Sequence, residues 1–180
     1  MKNSMLLFLT LSLFIFTASV SDTSKNHNMG SFLEDKKMVQ VGIIVKDITK
    51  SAQTWAEILG VDVPGITVAE GHHLNPTTYK GNRSDARAKL AFLQLENITI
   101  ELIEPIGEPS TWKEFLDQEG EKIHHLGFNV KGMKDHVKSF EDFGIPLVQH
   151  GGWDGGEYSY MDGREKLGVI IELLEHYEQE

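Results

Sequence analysis

The chain has 180 residues, room for one ordinary domain or two small units sharing a core. A formal charge of −10 and a pI near 5.2 exclude general binding to nucleic acid. The absence of cysteine excludes disulfides, thiolate metal sites and a cysteine nucleophile.

Lys2 precedes a mostly apolar, uncharged run of 16 residues from Met5 to Val20, which ends among small residues (Ala18, Ser19, Ser21). That order is the order of a secretory signal, and the run falls short of the ~20 residues that span a bilayer. Residues 1–21 are therefore expected to be a signal peptide directing export to a periplasmic or extracellular space. An uncleaved N-terminal membrane anchor is the alternative. Cleavage would remove one charged residue, Lys2, and take the net charge from −10 to −11. Residues 22–36 read as a tether.

Val39 to Val45 is apolar and β-branched, the composition of a strand. Asp47 is placed to cap a helix whose apolar positions Ala52, Trp55, Ile58 and Leu59 have helical spacing and which stops at Gly60. Val61 to Val68, interrupted by Pro64-Gly65, reads as a short or bent strand. Residues 69–86 are polar and turn-rich and read as a long loop; its His72, His73, Lys80 and Arg83, with Arg87 just beyond, could grip an anion, although such a composition is more often a solvated surface. Ala88–Leu95 and Ile98–Ile103 form a hairpin across Glu96-Asn97. Thr111-Trp112-Lys113-Glu114 has capping-box spacing and opens a short helix.

Ile123–Val130 is then a strand and Met133–Phe143 a helix with Val137, Phe140 and Phe143 on one face. A short strand around Pro146–Val148 precedes a glycine-rich segment, Gly151 to Gly156, that suits a lid or a flexible turn. Tyr158–Met161 and Val169–Leu174 complete the count. Eight strands and two main helices in two βαβββ halves predict an α+β fold. The halves cover residues 37–106 and 122–176, joined by a short helical linker within a domain spanning 37–176.

The second half repeats the first. At an offset of 85 positions Gly42 meets Gly127, Val45 meets Val130 and Lys46 meets Lys131. Ile100-Glu101-Leu102-Ile103-Glu104 likewise echoes Ile171-Glu172-Leu173-Leu174-Glu175. Side chains alternate faces along a strand. If the more apolar faces pack on the helices, then Gln40, Glu101, His125 and Glu172 all turn to the opposite face of a curved sheet. By the same alternation His124 points away from them.

Two carboxylates ~4 Å apart at an effective dielectric of ~20 repel by about 4 kcal/mol, roughly three pKa units. Either one keeps a proton near neutrality, or a cation lies between them. Three oxygens and one imidazole suit Zn, Ni, Co or Mn.

Paired βαβββ halves, with Gly42-Ile43-Ile44-Val45-Lys46-Asp47-Ile48 and Gly127-Phe128-Asn129-Val130-Lys131-Gly132-Met133 after the ligand positions, resemble the vicinal oxygen chelate (VOC) superfamily. This is the glyoxalase, bleomycin-resistance and dioxygenase group, and the match runs from about Met38 to Glu175. Phe92-Leu93-Gln94-Leu95, the Ile100–Pro105 run and the Phe115-to-His125 segment look most like methylmalonyl-CoA epimerase-like members. The resemblance implies a curved eight-stranded sheet around a metal-binding cup, with a divalent ion held by Gln40, Glu101, His125 and Glu172. The epimerases usually have His at the first of these positions. Gln followed by Glu, His and Glu is instead similar to the set of some glyoxalase I enzymes.

The implied activity is that of a metal-dependent isomerase, epimerase or glyoxalase-like lyase. It abstracts a proton beside a carbonyl through a metal-stabilised enolate or enediolate, with Glu172 as base and Glu101 as its acid–base partner. The implied substrate is a small carbonyl compound or thioester, although an exported protein would rarely meet coenzyme A; a homodimer is compatible. The alternatives are a non-catalytic small-molecule binder of the bleomycin-resistance type and an Fe(II) dioxygenase. Gln40 in place of a first His argues against the dioxygenase.

Overall fold

A computed structural model describes residues 32–33, 36–71, 73 and 75–177. The chain divides into two units, residues 1–30 and 31–180, and every described residue belongs to the second. The expected signal segment and most of the tether lie outside the described residues. Among the described residues no helix is long and apolar enough to cross a membrane.

The elements are β1 (Met38–Ile44), α1 (Ile48–Leu59), β2 (Ile66–Ala69), β3 (Thr78–Tyr79), β4 (Asn82–Arg83), β5 (Arg87–Gln94), β6 (Thr99–Ile106), α2 (Thr111–Glu119), β7 (Ile123–Asn129), α3 (Met133–Asp142), β8 (Leu147–Trp153), β9 (Gly156–Met161), α4 (Arg164–Leu167) and β10 (Ile170–His176). All the described strands join one mixed sheet in the order β2-β5-β6-β1-β7-β10-β9-β8-β3-β4. The duplication is visible in that order. β1 and β7 pair antiparallel at the centre, each carries a parallel partner (β6 or β10), and each half then runs outward through two antiparallel strands.

The sheet has ten strands rather than the eight expected. The additional pair is β3–β4, a hairpin inside the polar segment 69–86, where β3 adds to the edge of β8. Its strands are two residues each, too short to show alternation. Extending the second half's edge with a piece of the first also covers β8's unpaired backbone groups.

The faces divide as the alternation predicts. Val45, Leu93, Ile100 and Leu102 pack with Ile48 and Ala52 of α1, and Val130, Ile171 and Leu173 pack with Met133 and Phe140 of α3. Ile44, Ile103, Tyr160 and Ile170 form a separate cluster on the other face with Trp112 and Phe115 of α2. Leu102 and Leu173 are fully buried beside Glu101 and Glu172. Each such leucine contributes about 1.5–3 kcal/mol. A one-residue slip would place the carboxylates in the helix-side core, so the register is strongly specified.

Asp47 accepts from the Lys50 N–H, and Gly60 closes α1 at φ 67°, as expected. Other local expectations are corrected. The cap of α2 is Ser110, not Thr111; Thr111 donates its N–H and hydroxyl to Gln149 Oε1. Ile58 is 73% exposed, because α1 lies on the sheet through Ile48, Ala52 and Ala56 instead. The segment around Pro146–Val148 continues to Trp153 as β8, so the glycine-rich stretch is the tip of the β8–β9 hairpin rather than a free loop. Phe143 is half-exposed, with the ring of Phe32 5.4 Å away, so the end of the expected tether packs on α3.

Candidate metal and substrate site

The two central strands bring the site together with one ligand-type residue and one glycine each. On β1 these are Gln40 and Gly42, and on β7 His125 and Gly127. Gly42 pairs with both Glu101 of β6 and His125, while Gly127 pairs with both Glu172 of β10 and Gln40. The glycines make room. A Cβ at Gly42 would lie 2.0 Å from the Cε1 atom of His125, and one at Gly127 would lie 2.8 Å from the Gln40 Cβ.

All four expected residues converge. Gln40 Nε2 donates to Glu101 Oε2 at 2.6 Å and to Glu172 Oε2 at 3.4 Å. His125 Nε2 lies 3.0 Å from Glu172 Oε2 and 3.4 Å from Glu101 Oε2. These approaches attract by charge, but Nε2 makes no geometrically acceptable hydrogen bond. One oxygen from each carboxylate and a nitrogen of His125 lie within 4.8 Å of one another, and all three residues are buried.

Burial pushes the Glu101 carboxyl up from the usual carboxylate range, and the neighbouring Glu172 adds to it, while His125 and Gln40 oppose the shift. Burial alone would lower the His125 imidazole. The charge of Glu172, with contacts to both carboxylates, outweighs it and raises His125 to about 10. Without a cation, the imidazolium therefore supplies the balancing positive charge.

This has a pH consequence. A pKa raised on folding contributes stability that is complete below the unfolded value and lost as pH climbs through the folded one. For His125 the window runs from 6.5 to about 10, and Glu101 works in the same direction from lower pH. In chelator, urea denaturation should show stability falling from pH 6 toward pH 10, and His125→Gln should flatten that decline. A metal-free protein equally stable across the range would contradict the pairing.

His124 corrects the alternation argument. β1 and β7 slip register between Gly42 and Ile43, where His125 and then Ile123 are the partners, so His124 is the extra residue of a β-bulge. The bulge cancels one alternation and turns His124 onto the same face as His125. Its ring meets Phe115 and Tyr160 edge-on, and its Nδ1 lies 3.1 Å from His125 Nδ1. Burial, then the charges of His125 and Arg164, hold His124 well below the usual imidazole range. A neutral His124 can therefore accept the Nδ1–H of His125, leaving Nε2 as the nitrogen that faces the carboxylates.

Above this floor opens a cavity of about 940 Å³. Its lining draws on β2, β5 and β1 from one end of the sheet and on β8, β9 and β10 from the other, which only a curved sheet permits. Gln40, Glu101 and Glu172 reach it, and His125 lies behind them at 0% exposure. Trp112, Tyr158 and Tyr160 line it as well and were missed in the sequence. The Trp112 Nε1–H donates to the Tyr160 hydroxyl, and Gln149 Nε2 donates to that of Tyr158. The missed signal was pairing: Tyr160 stands opposite Glu172 as Phe92 stands opposite Glu101, so each shares its carboxylate's face.

The cationic segment is the solvated surface of the two readings its composition allows. Lys80 pairs with Glu114 at 2.6 Å and Arg87 with Glu70 at 3.3 Å. Arg83 is exposed on β4, and neither it, Lys80 nor Arg87 lines the cavity. His73 does line it, while His72 lies outside the described residues.

Comparison with known proteins agrees with this architecture. An uncharacterised protein of Bacillus subtilis (strain 168), YqjC, is 28% identical over 94 residues, which span 51% of this chain and 67% of that protein. The solved methylmalonyl-CoA epimerase from Mycobacterium tuberculosis superposes with a TM-score of 0.56 at 20% identity, covering 84% of this chain and 95% of that one. A hypothetical protein from Bacillus halodurans C-125 does so at 0.55 and 23%, covering 80% and 96%. At these identities the structural likeness is one of fold. The model of the Glyoxalase/Bleomycin resistance protein/Dioxygenase superfamily matches residues 39–160, and the chain belongs to that superfamily.

Proposed function

We propose that this protein is a divalent-metal-dependent isomerase, epimerase or lyase that removes a proton from the carbon next to a carbonyl group. The observation that carries the proposal is the floor of the cavity. There two buried carboxylates and a terminal amide surround an imidazole nitrogen that is within 3.0 Å of one carboxylate yet hydrogen-bonded to none.

This donor set fits a divalent ion. Glu101 and Glu172 together balance its charge, His125 offers Nε2, and Gln40 carries an amide oxygen as well as the NH₂ now directed at the acids. Oxygen-rich sites with one imidazole suit Zn, Ni, Co or Mn. Bound there, the ion would supply stabilisation of negative charge developing on a carbonyl oxygen.

The chain's own residues do the rest. Glu172, at the cavity floor, is the carboxylate that would leave the ion and take the α-proton; that proton returns to carbon from Glu172, or from Glu101 on the other side of the cup once it has been passed across. Gln40 orients both acids through its NH₂ group. Tyr160 lies against the His125 ring and is held in place by the Trp112 Nε1–H, which fixes the wall beside the charged cluster.

In D₂O, protein loaded with one of these metals is expected to exchange the α-hydrogen of a carbonyl ligand for deuterium, read by proton NMR, and chelation should stop it. If no exchange occurs with ketones, thiol adducts of 2-oxoaldehydes or acyl thioesters, the protein is instead a small-molecule binder of the bleomycin-resistance type.

A further inference from the structure

We propose that the compound held above Gln40, Glu101 and Glu172 is uncharged and largely apolar, an aryl or alkyl ketone or aldehyde, and not a carboxylated or phosphorylated acyl group. The inference rests on the reading just given for which end of the ligand reacts, with the carbonyl toward the floor. It goes beyond that reading in naming what occupies the rest of the cavity.

The walls are made of Leu90, Phe92, Trp112, Trp153, Tyr158 and Leu174. The volume of about 940 Å³ matches sites that enclose a whole small organic molecule. Among the described residues no lysine or arginine lines the cavity; its lining carries four carboxylates, Glu70, Glu101, Asp154 and Glu172, against the two imidazoles of His73 and His176. Arg87 reaches the rim only by pairing with Glu70, Lys80 is held by Glu114, and Lys89 by Glu104.

An anionic group in this cavity would lose water against aromatic walls without meeting a lysine or arginine, and the four carboxylates of the lining, Asp154 among them, would outweigh its two imidazoles. A divalent ion at the floor does not change this, because Glu101 and Glu172 already balance it. The aromatic faces of Trp112, Trp153, Phe92 and Tyr158 instead favour a flat or branched apolar group.

Two ligands of closely similar shape test the inference: para-acetylbenzamide and para-acetylbenzoate, which differ in charge remote from the ketone. The methyl ester of para-acetylbenzoic acid stands beside the amide as a neutral control without N–H donors. Binding at pH 8 is read from quenching of tryptophan fluorescence, with Trp112 and Trp153 in the wall. The amide should bind about tenfold more tightly or better, and Asp154→Lys should narrow the gap while circular dichroism confirms the fold. Equal or tighter binding of the benzoate to the unmodified protein overturns the inference, and so does failure of both to bind. Metal content is measured separately on the same samples. Preference for the amide with no metal held would sink the metal reading alone, whereas a stoichiometric metal with the benzoate preferred would sink the substrate class alone.

Discussion

Glu172→Gln is expected to keep the fold and to lose about three orders of magnitude of turnover, the scale of a positioned general base. The substitution preserves shape, so Gly127, whose position lies against the Glu172 carboxylate, stays unobstructed. What it removes is charge. A neutral amide cannot take a proton from carbon, yet its oxygen can still face an ion. The variant also removes the largest influence raising the His125 pKa, so His125 should lose its proton at lower pH and compete less with a metal for Nε2. Turnover and metal affinity should therefore separate, the first falling steeply and the second far less. Single-turnover kinetics with parallel metal titration reads both. Full turnover would remove the base assignment, and Glu101→Gln is the comparison that shows whether both acids are needed.

Gly42→Ala is expected to destabilise the metal-free protein by about 3 kcal/mol, the upper part of the range for overpacking a core, and to disable the site. The new methyl would lie 2.0 Å from His125 Cε1 and 2.4 Å from its Nε2. Neither side can move away cheaply. β1 is hydrogen-bonded to β6 on one edge and β7 on the other. The His125 ring is fully buried against Tyr160 and His124. Urea unfolding in chelator measures the first effect and calorimetric metal titration the second. Unchanged metal affinity in the variant would contradict the placement of His125 over Gly42.

The pairing of the halves and the convergence of the four polar residues were legible because alternation in β1, β6 and β10 runs unbroken through the residues that matter. Apolar neighbours on the helix side, such as Leu102 and Leu173, made the polar face conspicuous. His124 was misread because a bulge depends on how two strands pair, and a single strand's pattern carries no trace of it. The β3–β4 hairpin was hidden for a related reason. Its polar two-residue strands are held by the edge of β8, a partner roughly 70 residues away in sequence. Ser110 rather than Thr111 caps α2 because Ser110 holds the extended backbone from which its hydroxyl accepts the Lys113 N–H, while Thr111 is already the first helical residue. Trp112, Tyr158 and Tyr160 could have been found, since pairing β9 against β10 sets Tyr160 beside Glu172.

Crystals grown with zinc, examined by anomalous scattering at the zinc edge, address the site itself. The account predicts one strong peak bonded to Gln40, Glu101, His125 and Glu172 at about 2.0–2.2 Å. A cup without a peak, or zinc held only by residues elsewhere on the molecule, would contradict it.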